Sequence, residues 1–165
     1  MNPQVLILMG SDSDYPVMEE TVKILNNFGV ASEIHVSSAH RSPKKTASLI
    51  AGAPERGVRV IIAAAGAAAH LPGVIAAETI LPVIGVPLSG TELNGVDALY
   101  AIVQMPAGVP VATMAIGKAG AKNAAILAVQ MLALADHNLV AKLEAFKLDM
   151  EREVEEKDLK LQGSF

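Results

Sequence analysis

Val5-Leu6-Ile7-Leu8-Met9 is a run of apolar residues that gives way at once to the polar turn Gly10-Ser11-Asp12-Ser13-Asp14. An unbroken apolar run this short fits a strand covered on both faces, the condition of a strand inside a parallel sheet. Beyond the turn, Met18, Val22, Leu25 and Phe28 recur at spacings of four, three and three, the rhythm of one helical face. Strand, glycine-led turn and helix form the first half of a βαβ unit.

The rest of the chain repeats that alternation. Gly29 ends the first helix, and residues 30–36 read as a second strand. Pro43 suits the first turn of the next helix, which runs to about residue 53 with Leu49 and Ile50 inward. Residues 58–65 are a third strand, followed by a loop of small residues and a short helix. Strands are predicted at 83–86 and 109–116, the latter with Pro110 near its start, and helices at 95–103 and 119–135. Val140, Leu143, Phe146, Met150 and Val154 mark one side of a charged final helix over about 138–161. No linker or internal repeat interrupts the pattern. It predicts a single domain, 1–165, of the α/β class: a three-layer αβα, doubly wound, flavodoxin-like parallel sheet with a C-terminal helix.

Bulk composition narrows the functions. Lys plus Arg number 13 and Asp plus Glu 17, a net charge of −4 that argues against a nucleic-acid partner, which wants a basic face. There is no cysteine, hence no disulfide and no thiolate site, in keeping with a reducing, cytoplasmic setting. The amino end has neither a basic leader nor a small-residue cleavage site. The longest apolar region, from Val60, is broken by Gly66, His70 and Pro72, so no membrane span is expected. Apolar residues reach 52% with a mean hydropathy of +0.41, yet only 3% are aromatic. Subunit contacts are the simplest cover for so much aliphatic surface, and a homo-oligomer is expected.

In a doubly wound sheet ligands bind beyond the carboxyl ends of the strands. Three polar or small-residue loops follow strands one, two and three, so all three are expected to face one pocket. In the first, Ser11 and Ser13 can cap a helix or present an anion site, and Asp14 suits sugar hydroxyls. The second is Ser37-Ser38-Ala39-His40-Arg41-Ser42-Pro43. An imidazole beside a guanidinium, with hydroxyls on both sides, is equipped for proton transfer on an anionic substrate held bidentately. The third, Gly66-Ala67-Ala68-Ala69-His70-Leu71-Pro72-Gly73, offers backbone N–H groups and a close apolar wall, with His70 available to orient a carboxylate. His35 and His137 are read as structural. No zinc spacing, Walker A lysine or GxGxxG occurs, so neither a metal nor a nucleotide cofactor is expected. A receiver domain would need an acceptor Asp after strand three, where Ala63-Ala64-Ala65 stands.

Taken together, MGSDSD from Met9, SAHRSP from Ser38, AAHLPG from Ala68, PVIGVPL from Pro82, AIVQMP from Ala101 and AIGKAGAKNAA from Ala115 resemble the class I N5-carboxyaminoimidazole ribonucleotide mutase family of purine biosynthesis. The resemblance implies an ATP-independent isomerase that moves a carboxyl group from the exocyclic nitrogen of an aminoimidazole ribonucleotide to the neighbouring ring carbon. It implies His40 as general acid/base, and Ser11, Asp14, Ser38 and Arg41 as groups holding phosphate and ribose. Gly66, Ala67, Ala68, His70 and Leu71 would cover base and carboxylate. It also implies a homo-octamer with sites at subunit junctions, the C-terminal helix on a neighbouring subunit, and a transient contact with the carbamate-forming synthetase. One departure is that the family's second loop glycine is Ala67 here, at a position where a positive φ would strain a side chain. The alternatives are a class II carboxylase using free CO₂ and a non-catalytic module binding a phosphoribosyl ligand.

Overall fold

The computed structural model describes residues 2–164. It contains a five-stranded parallel sheet in the order β2-β1-β3-β4-β5, built from β1 (Val5–Met9), β2 (Ser32–Val36), β3 (Val60–Ala65), β4 (Val83–Pro87) and β5 (Ala112–Thr113). The helices between them are α1 (Tyr15–Phe28), α2 (Pro43–Ala51), α3 (Leu71–Glu78), α4 (Val96–Val103), α5 (Lys118–Ala133) and α6 (His137–Gln162). A short 3₁₀ turn, Asp12–Asp14, leads into α1. The chain divides into two compact units, the first ending at Val129 within α5 and the second starting at Gln130.

The apolar run Val5–Met9 is an interior strand, with β2 on one side and β3 on the other. Val5, Leu6, Ile7 and Leu8 are fully buried, because β1 is paired on both edges and covered on both faces. Successive side chains leave a strand on opposite faces, so two cores form. Leu6, Leu8, Ile61 and Ala63 pack with Ile50 of α2, Leu71 and Ile75 of α3, and Ala98 and Ile102 of α4. The alternate residues Ile7, Ile62 and Ile84 face the side where Met18 and Leu25 of α1 and Ala121 and Ala125 of α5 are buried. The buried Thr21 hydroxyl donates to the Ala121 carbonyl at 2.8 Å and ties α1 to α5.

Strand ends differ from expectation where local hydrogen bonds intervene. Gly29, with φ 74, turns the chain so that the Val30 N–H closes α1 on the Leu25 carbonyl, and β2 begins at Ser32. The Val58 N–H likewise bonds the Ala53 carbonyl, and β3 begins at Val60. The largest correction is β5. Among the described residues it pairs only with β4, through Ile84↔Ala112 and Gly85↔Thr113, and the predicted eight residues shrink to two. An edge strand with Pro110 at its entry has no second ladder to extend it.

Candidate functional site

The order 2-1-3-4-5 makes β1 and β3 neighbours while their connections run in opposite directions, which opens a crevice above their carboxyl ends. A cavity of about 660 Å³ lies there. Its walls come from the loops after β1 (Ser11, Asp14), β2 (Ser38, His40, Arg41), β3 (Gly66, Ala67, Ala68, Leu71) and β4 (Leu88, Ser89, Gly90). The three loops singled out from the sequence therefore meet, and a fourth joins them.

The first loop is rigid through a capping box: the Ser11 hydroxyl accepts from the Ser13 N–H at 3.3 Å, and the Asp14 carboxylate accepts from the Ser11 N–H at 3.0 Å. Half-burial raises the Asp14 pKa from its ordinary value, the Ser11 N–H opposes that shift, and the nearby Asp12 charge adds to it. In the second loop the Ser38 hydroxyl accepts from the Arg41 N–H at 3.1 Å, and the Ser42 hydroxyl accepts from the Ser38 N–H at 3.0 Å. The Arg41 guanidinium reaches across to the Gly10 carbonyl at 3.2 Å, joining the β1 and β2 loops. It keeps further donors for an anion. Arg41, Ser11, Asp14 and Ser38 thus concentrate polar groups at the β1/β2 end.

At the β3 end the wall is backbone and methyl groups. Leu71 is 3% exposed and Ala69 1%. The positive φ falls on Ala68, at 45°, rather than on Ala67, so the strain anticipated in this loop sits one residue later. The Ala68 carbonyl accepts from the His70 N–H at 2.7 Å, which tightens the turn into α3.

The two histidines of the site touch. His40 Nε2 and His70 Nδ1 lie 2.8 Å apart, with the rings edge-on at 80°. At that distance one nitrogen carries the hydrogen and the other accepts it, so each ring's tautomer determines the other's. His70 is not among the residues lining the cavity; its contact with the site is His40. Of the other two, His35 lies 3.8 Å from Glu33 within β2, and His137 opens α6. Among the described residues no group of His, Asp or Glu could hold a metal ion, and no helix is long and apolar enough to cross a membrane.

Two features escaped the sequence reading. The His40–His70 contact joins residues 30 positions apart and depends on strand order. The β4 wall of Leu88, Ser89 and Gly90 follows a strand on the ligand edge, a signal that was available.

Comparison with known proteins follows the same lines. A family profile described as AIR carboxylase matches residues 4–153. The N5-carboxyaminoimidazole ribonucleotide mutase of Pyrococcus horikoshii is 54% identical over 160 residues, 97% of this chain and 89% of the relative. That of Thermotoga maritima is 52% identical over 160 residues, 97% of this chain and 92% of the relative. A crystal structure of Treponema denticola PurE superposes with a TM-score of 0.85 at 28% identity, covering 96% of this chain and 98% of that one.

Proposed function

The chain belongs to the AIR carboxylase family, and from that premise we propose that it is an N5-carboxyaminoimidazole ribonucleotide mutase of purine biosynthesis. The observation that carries the proposal is a cavity with Arg41 and hydroxyls at one end, His40 beside it, and an uncharged backbone wall opposite. The phosphate and ribose occupy the β1/β2 end, on Ser11, Ser38, Arg41 and Asp14. The heterocycle lies against Gly66, Ala67, Ala68 and Leu71.

Reactant and product differ in the position of one carboxyl group and one proton. His40 donates a proton to the exocyclic nitrogen as the N–C bond of the carbamate breaks, releasing CO₂ inside the pocket. The ring carbon attacks that CO₂, its C–H proton passes to His40, and the imidazole returns to its starting state. No ATP, metal or second acid is required by this balance. His70 holds the tautomer of His40 through the 2.8 Å contact. The wall of small residues with Leu71 keeps CO₂ beside the carbon until recapture.

Among the described residues fifteen large apolar side chains are exposed, including Ile80 at 103% and Leu134 at 89%. That surface supports assembly into a homo-octamer, with α6 seated on a neighbouring subunit. Lack of cysteine supports a cytoplasmic setting. Supply of a labile carbamate favours a transient contact with the synthetase that makes it. Incubating the purified chain with the carbamate ribonucleotide, without ATP or metal, tests the activity: the carbon-carboxylated product is expected, and its absence overturns the proposal. The runner-up, carboxylation by free CO₂, has support in the carboxylase description of the family profile. A rate that follows bicarbonate rather than the carbamate would establish it.

A further inference from the structure

The β4 wall has no part in the chemistry above, yet it lines the same cavity. Ser89 and Gly90 are exposed to it, and neither the Ser89 hydroxyl nor the Gly90 N–H has a hydrogen-bond partner among the described residues. They are consecutive donors at the end of the site opposite Arg41. The Arg41 guanidinium rests on the Gly10 carbonyl at the end of β1, and in the order 2-1-3-4 the β4 edge lies two strand spacings from β1, about 10 Å at 4.7–4.9 Å each. Arg41 and a group bound at Ser89 therefore hold different ends of one ligand.

The loop that presents these donors is built to hold its shape. The Thr91 hydroxyl meets both carboxylate oxygens of Asp97 at 3.0 Å and accepts from the Leu93 N–H at 3.2 Å. Asn94 and Gly95 then take positive φ values of 53° and 85°, folding the chain back on itself. A Cβ on Gly95 would stand 3.2 Å from the Ser89 Cα, 3.3 Å from the Leu88 carbonyl oxygen and 2.7 Å from Ile116 Cγ2. Only glycine lets the loop close this tightly onto Leu88 and Ser89. The β3 loop lies at ordinary contact distance: a Cβ on Gly66 would be 3.6 Å from the Leu88 carbonyl oxygen and 3.9 Å from the Gly90 nitrogen.

We propose that the Ser89 hydroxyl and the Gly90 N–H form a carboxylate clamp that selects the carboxylated ribonucleotide over its uncarboxylated counterpart. This rests on the mutase reading and extends it to substrate choice. No cationic side chain lines the β3/β4 end of the cavity, so recognition there falls to neutral donors. A carboxylate accepts from both donors together. A bare exocyclic amine, itself a donor, leaves the Gly90 N–H unpaired, and unpaired donors are what a hydrogen-bonding site discriminates by. Gly95 acts as a positioning residue for the pair.

The test compares wild type with Ser89→Ala by titration calorimetry, using the stable carbon-carboxylated ribonucleotide and the uncarboxylated aminoimidazole ribonucleotide, alongside KM for the carbamate. Loss of one hydrogen bond to a charged group is expected to weaken the carboxylated ligand and raise KM about tenfold or more. Affinity for the uncarboxylated ligand is expected to change by less than about twofold, and Ser89→Thr, which keeps a hydroxyl, is expected to restore selectivity. Ser89 is exposed, so its truncation leaves the fold intact; Gly95→Ala is expected to reproduce the selectivity loss in whatever fraction folds. Equal weakening of both ligands, or no change in either, overturns the clamp while leaving the mutase reading standing. If wild type binds neither ribonucleotide, the mutase reading itself fails and the clamp with it.

Discussion

Truncating Leu71 to Ala separates the structural from the catalytic duty of the β3 wall. Leu71 opens α3, lines the cavity, is 3% exposed, and sits in the buried cluster with Ala65, Ala69 and Ile75. The change removes three carbons, about 2.4 kcal/mol of transfer free energy at roughly 0.8 kcal/mol each. Leu→Ala changes at fully enclosed sites cost about 2.7–5.0 kcal/mol because a void remains. Here the void opens onto the cavity, so a loss near the lower end, about 2–3 kcal/mol, is expected. At about 2–4 °C per kcal/mol for a domain of this size, calorimetry should record a Tm lower by roughly 5–10 °C. The same opening widens the cage around CO₂. A drop of about 1.4 kcal/mol in the barrier to escape raises leakage tenfold. The assay is the ratio of uncarboxylated aminoimidazole ribonucleotide to carbon-carboxylated product after one turnover. A lowered Tm with that ratio unchanged from wild type would refute the caging role and leave Leu71 as packing alone.

Other outcomes follow from the same geometry. His40→Asn is expected to reduce kcat about 10²–10⁴-fold with ribonucleotide binding retained, measured by steady-state kinetics and calorimetry; unchanged turnover would remove His40 from the proton transfer. His70→Asn, which removes the partner 2.8 Å from His40, should lower kcat with little change in KM. Asp14→Asn is expected to weaken substrate binding while raising stability at neutral pH, because burial disfavours the native carboxylate. A carboxyl whose folded pKa is raised loses stability as pH climbs through that range, so the stabilisation should vanish below the ordinary Asp pKa of about 3.9 and appear above it in thermal melts. Gly120→Ala should fail to give soluble protein, since its Cβ would fall on the Ala115 carbonyl oxygen, a backbone atom that cannot turn aside.

Much of this molecule was written in local pattern. The apolar runs at Val5–Met9 and Val60–Ala65 fit interior parallel strands, and the alternation of strand and helix around them placed the loops bearing Ser11, His40 and Gly66 on the ligand edge. Element ends were less legible, because single bonds such as Val30 to Leu25 and Val58 to Ala53 set them. The length of β5 was not legible at all, since it depends on its place at the sheet edge beside β4.

The alternation of strand and helix and the chemical type of each loop are set locally, because hydrophobic period and turn residues act over a few positions. It takes the packed sheet to bring His40 to His70, to put the positive φ on Ala68 rather than Ala67, and to add Ser89 and Gly90 to the cavity lining. His40 follows β2 and His70 follows β3, the strands on either side of β1, and strand order is a property of the packed whole rather than of any stretch within it.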